Sequence, residues 1–93
     1  MASFRPEAHK TLVALIIEQR KARKLSLRQV VSRLPDWMNF QFTTLQKIES
    51  GARDVGYAEL REIARVLGTS VAALDLRVDE IEAAKVKATR RKR

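Results

Sequence analysis

Apolar residues recur at helical spacing along this 93-residue chain, and punctuating residues cut the pattern into five segments. In the first, "PEAHKTLVALIIEQRKARK", Leu12, Leu15, Ile16 and Gln19 fall on one face, and Val13 and Ile17 widen it. Pro6 and Glu7 make a favourable first turn, because proline needs no intrahelical donor and the acid meets the positive helix end. Arg20, Lys21, Arg23 and Lys24 suit the negative end. The spacing predicts a first helix over 6–23.

"SLRQVVSRL" has the form Ser-x-x-Gln, in which Ser26 accepts from the Gln29 amide while the Gln29 side chain reaches back. Val30, Val31 and Leu34 form its inward stripe and Pro35 stops it, so a second helix is predicted over 27–34. "PDWMNFQ" then reads as a turn, although it holds Trp37, Met38 and Phe40. Trp37 and Met38 are expected to lie over the core as an apolar lid, the alternative being an extra contact to DNA or a partner. The third helix is predicted over 41–50, with Leu45 and Ile48 inward, Phe40 packed at its start and Gly51 as a left-handed C-cap. After a loop at 52–56, Leu60, Ile63, Ala64 and Leu67 share a face of the fourth helix, which Gly68 ends. Ser70 caps a short fifth helix, "VAALDL", with Val71 and Leu74 inward.

Beyond Leu76 the period weakens to Val78, Ile81 and Ala84, and the last eight or so residues have no apolar face. This predicts a folded domain over 1–76 and an extension over 77–93 that is partly helical and then disordered.

Composition narrows the class. Three glycines and two prolines are few, and the β-branched residues do not alternate, which favours an all-α domain. With no cysteine and one histidine, His9, neither a disulfide framework nor a zinc site is expected. No serine or threonine has a histidine partner and no glycine-rich phosphate loop exists, so the chain is expected not to be an enzyme and to take no cofactor or metal. His9 reads as an exposed side chain. No apolar run approaches the roughly 20 residues that span a bilayer, and no signal-peptide core opens the chain. A cytoplasmic protein without a membrane partner is expected.

The net charge of +8 is uneven. Residues 1–76 carry 12 basic and 8 acidic side chains, and residues 77–93 carry 7 and 3, so each part contributes +4. Basic runs attract polyanions by counterion release, although they also serve as solvated tails.

On the third helix, with Leu45 and Ile48 inward, positions 42, 43, 46, 47 and 50 face away from the core. Such a face is either plain solvated surface or a surface for contact. "LIIEQRKARKLSLRQVV", "TTLQKIESGARD" and "LREIARVLGTSVAAL", in this order from Leu12 to Leu76, resemble the phage-repressor and Cro-like (Xre-type) helix-turn-helix family. The resemblance covers about two-thirds of the chain. It implies a compact five-helix, lambda-repressor-like domain whose third helix enters the DNA major groove, with a basic C-terminal tail here.

Position by position, it implies base reading by Gln41, Phe42 and Thr43, with Gln46 and Lys47 one turn on. Gln pairs with adenine, Lys with guanine, and a threonine or phenyl group packs on the thymine methyl, the alternative for Phe42 being an inward place in the core. Phosphate contacts are expected from Arg28, Gln29, Ser50, Arg53 and Tyr57. Arg20 and Glu49 match a family pair that ties the first helix to the third. A homodimer is implied, with Leu74, Val78 and Ile81 as candidates for its surface.

The expected function is a sequence-specific transcriptional regulator, a repressor on an inverted-repeat operator, in a bacterial or phage setting and associated with the nucleoid. The alternative is an interaction module of the same fold, such as an antitoxin that binds a protein partner and regulates itself. A third reading is a sequence-indifferent nucleic-acid binder acting through the tail. Two features depart from the family: "PDWMNFQF" either lengthens the turn between helices two and three or extends helix three at its N-terminal end, and Leu27 stands where relatives often place a polar residue.

Overall fold

Ile16, Val30, Leu45, Ile48, Ile63 and Leu67 are the largest fully buried side chains, and they come from the four successive segments that helical spacing singled out. The computed structural model describes residues 6–91. Its order is α1 (Pro6–Ala22), α2 (Leu27–Ser32), a single 3-10 turn (Asp36–Met38), α3 (Phe42–Ser50), α4 (Tyr57–Val66) and α5 (Val71–Arg91). The chain is an all-α, five-helix domain, without strands among the described residues.

Local chemistry sets the boundaries. Ser26 and Gln29 exchange the expected capping bonds at the start of α2: the Gln29 amide donates to Ser26 Oγ (3.1 Å) and the Ser26 amide to Gln29 Oε1 (2.8 Å). The α2 helix stops at Ser32, two residues earlier than the spacing predicts. Arg33 and Leu34 donate to the carbonyls three residues back, and the position before Pro35 is disfavoured from helix. Leu34 remains buried. Gln41 is the N-cap of α3 rather than its first residue, and Gly51 ends the helix at φ +84°, the left-handed cap.

The segment between α2 and α3 divides the expected lid in two. Met38 turns into the core (8% exposed), whereas Trp37 stands out at 61%. Asn39 closes the turn in the left-handed region at φ 53° and donates to the Asp36 carbonyl. A three-residue turn aims adjacent side chains in different directions, so only one of the two can reach the core.

The largest correction concerns α5. The predicted short helix and partly helical extension are one helix of 21 residues, continuous to Arg91; residues 92–93 of the expected disordered tail lie outside the described residues. Leu74 and Val78 are buried, and Val71 and Ile81 pack partly buried against the same core, a stripe with spacing 3, 4, 3. Leu74 and Val78 are thus core residues of one chain, not dimer-surface candidates, and Ile81 is half-covered by the same packing.

A polar clasp also ties α5 down. Buried Thr11 of α1 donates to Glu82, and Lys85 Nζ lies 3.3 Å from the Thr11 hydroxyl. From Ala83 to Ala88 every side chain is exposed, so the end of α5 projects from the core. That projection accounts for a radius of gyration of 14.3 Å, above the roughly 12 Å of a sphere-like chain of this length. No described helix is long and apolar enough to cross a membrane.

Candidate nucleic-acid interface

The inner side of α3 is fixed twice over. Leu45 and Ile48 are 1% and 0% exposed, and an ion pair at the C-terminal end holds the helix against α1. Arg20 donates from Nε to Glu49 Oε2 (2.7 Å) and from Nη2 to Glu49 Oε1 (3.0 Å), and from Nη1 to the Leu25 carbonyl (2.9 Å). Both side chains are largely shielded, at 13% and 11% exposure. Two parallel charge-assisted bonds fix an orientation that a single point contact does not. The paired residues from the sequence therefore meet, and their arrangement clamps α3 at a set angle to α1.

The outer side of α3 carries Thr43, Gln46, Lys47 and Ser50, all exposed, with Gln41 exposed at its N-cap. Glu49 is the only acid of the helix, and Arg20 takes it up, so this face holds no carboxylate. No acid occupies the first turn either, unlike α1 with Glu7 and α4 with Glu59, which leaves the positive end of α3 uncompensated. The arrangement offers amide donors and acceptors, a hydroxyl and an ammonium on a convex, weakly positive ridge about 13 Å long.

Phe42 is placed differently from the other four. It is partly buried, and the Arg28 guanidinium lies over its ring with Cζ 3.9 Å from the centroid. The ring face under Arg28 is closed to any other contact, so Phe42 does not offer that face to a thymine methyl.

The five expected phosphate contacts do not form a set. Arg28 lies on Phe42. Gln29 uses its carbonyl oxygen in the α2 capping box. Ser50 Oγ donates to the Lys47 carbonyl (3.1 Å) within its own helix. Arg53 is committed to Glu59 through both Nη atoms (3.2 and 3.0 Å) and lies 5.2 Å from the Phe40 centroid. Tyr57 is 69% exposed at the start of α4.

The Arg53 bonds, together with the Gly56 amide that donates to Glu59 Oε1 (2.9 Å), hold the Glu59 carboxyl below its usual range. The same carboxylate raises the Arg53 guanidinium further above its ordinary value. These groups staple the loop after α3 to α4; Arg53 is a brace there, with its charge already matched.

Sequence reasoning missed the Arg28–Phe42 stack and the Thr11–Glu82–Lys85 clasp. The stack joins residues 14 positions apart across an irregular turn, which no periodicity reports. The clasp carried a signal, an acid and a lysine three apart on the extension. His9, read as exposed, is partly covered, with Nε2 3.9 Å from Asp54 Oδ1. Among the described residues no group of three or more His, Cys, Asp or Glu is placed to hold a metal ion. No protein-family model, curated protein or solved structure matches this chain.

Proposed function

We propose that this chain is a sequence-specific DNA-binding regulator, a repressor that lays the outer face of α3 in the major groove. One observation carries the reading: α3 is locked by core and ion pair on one side and presents only Thr43, Gln46, Lys47 and Ser50, with no carboxylate, on the other. A bland solvated helix gains nothing from a clamp that sets its angle, and it tolerates acids. A major groove about 12 Å wide admits a helix and displays the acceptors and donors that Gln46 and Lys47 match.

The net charge of +8 supports the same reading, because each phosphate neutralised releases condensed counterions. Binding as a two-fold pair to half-sites about 10 bp apart belongs to the proposal. Leu74 and Val78, buried within one chain, do not make that dimer contact.

The test is capture of fragmented genomic DNA at about 150 mM salt, where non-specific binding is weak, followed by sequencing. A few sharp, two-fold-symmetric peaks are expected. Diffuse enrichment along the genome contradicts sequence reading and favours the basic tail as the binding element. No enrichment above background removes DNA as the partner and favours a protein-interaction module.

A further inference from the structure

We infer that Arg28 is a guanine-selecting side chain, held ready by Phe42, rather than a phosphate contact; the inference rests on the DNA-binding reading of α3. Arg28 belongs to α2, yet its guanidinium lies on the first residue of α3, 3.9 Å above the Phe42 ring. The stack thus moves the cation from the helix that carries it to the N-terminal end of the helix that reads.

Four arginines are held in ion pairs: Arg20 by Glu49, Arg53 by Glu59, Arg65 by Glu62 and Arg77 by Glu80. Arg23, Arg33 and Arg61 are, like Arg28, outside them among the described residues, and of these four only Arg28 lies over an aromatic ring. Among the described residues Arg28 makes neither a hydrogen bond nor an ion pair. Its flat face is covered by the ring, so its N–H edge is the part left for a partner. An arginine in that state keeps a planar fork of donors with part of its rotamer freedom already removed.

Its position is unfavourable without a partner. A cation at the N-terminal end of a helix opposes the helix dipole, and α3 has no acid in its first turn to offset it. A ligand rich in acceptors removes that conflict. Guanine presents O6 and N7 side by side in the major groove and takes such a fork with two parallel bonds.

Phe42 is on this account a positioning residue. It acts through Arg28, and it stands where the resemblance gave it direct contact with a base. Leu27, the apolar residue at the first position of α2, cannot donate from its side chain, and its neighbour Arg28 supplies the donor from one position further on.

The experiment is selection from a randomised duplex library by wild type, Arg28→Lys and Phe42→Leu, with folding checked by thermal melting. Arg28→Lys keeps the charge and loses the stack and the fork. Wild type should specify guanine at one position per half-site, and Arg28→Lys should relax that position by about 5- to 150-fold while the others keep their preference. Phe42→Leu should relax the same position partly.

If Arg28→Lys and Phe42→Leu leave every position as selective as in wild type, or if affinity falls equally on all duplexes, Arg28 contacts phosphate or nothing. The inference then fails and the DNA-binding reading stands. If the wild type selects no sequence, both fail together.

Discussion

Arg20 and Glu49 bring the chemistry of the fold down to two side chains whose removal has a predictable cost. The pair is nearly shielded and bidentate, so Arg20→Ala strands a carboxylate and should destabilise the domain by about 3 kcal/mol in urea denaturation. Arg20→Lys should recover less than half of that, because one ammonium cannot make two parallel bonds. Equal stability of Arg20→Lys and wild type would reduce the clamp to a simple charge contact.

Glu59 makes the same kind of argument in pH. Its folded-state carboxyl lies below the unfolded value, held there first by the Arg53 bond, so its contribution is fully present above the unfolded pKa of about 4.3 and is lost as pH falls through the folded value. Arg53 is 38% exposed and solvent screens the pair, so Glu59→Gln should cost about 1 kcal/mol or less at neutral pH. That difference should shrink toward zero once pH has fallen through the lowered folded-state value; a difference that persists below it would show that packing, not charge, was lost. The Arg20–Glu49 pair was an expectation of the helix-turn-helix resemblance, since both residues sit in the motifs that carry it. The Arg28–Phe42 stack was not, since its geometry depends on how the Pro35–Gln41 turn folds.

At the scale of elements, the signals that told true were caps and breakers: the Ser26–Gln29 box, Pro35, Gly51 and Ser70, whose Oγ accepts from the Ala73 amide. Helix α5 was underestimated because Asp79, Glu80 and Glu82 dilute its hydropathy just where it leaves the domain. What carries it on is tertiary. Val78 enters the core, and Thr11 of α1 holds Glu82, neither of which local propensity records.

The consequence is measurable. Val78→Ala should destabilise the protein by about 2 kcal/mol as a core truncation, by the same amount at low and high protein concentration. A cost that grows with concentration would return Val78 to a subunit interface. Trp37 and Met38 show the opposite limit of sequence reading: both are apolar, and only the geometry of one 3-10 turn decides that Met38 packs while Trp37 stays outside.

For the whole molecule, the question is whether the +8 charge or the shape of α3 decides what is bound. The chain beyond Val86 carries Lys87, Arg90, Arg91, Lys92 and Arg93, five of its 19 basic residues. Deleting 87–93 spares the Thr11–Glu82–Lys85 clasp and should weaken binding to every duplex alike, with a shallower dependence on salt, since fewer phosphates are neutralised. Loss of site preference on that deletion would move the reading function to the tail.

The fold class and the outward face of α3 were both legible in helical spacing, because burying Leu45 and Ile48 leaves no other side for Thr43, Gln46 and Lys47. The role of that face rests on the clamp and on the missing carboxylate, and one comparison addresses it directly. Wild type and the triple variant Thr43→Ala/Gln46→Ala/Lys47→Ala would be titrated, by fluorescence anisotropy at about 150 mM salt, against the duplex that wild type selects and against a scrambled duplex. The three side chains are exposed, so the variant should melt within a few degrees of wild type. It should bind both duplexes equally and weakly, its preference gone. A folded variant that still prefers the selected duplex as strongly as wild type would contradict α3 as the reading helix.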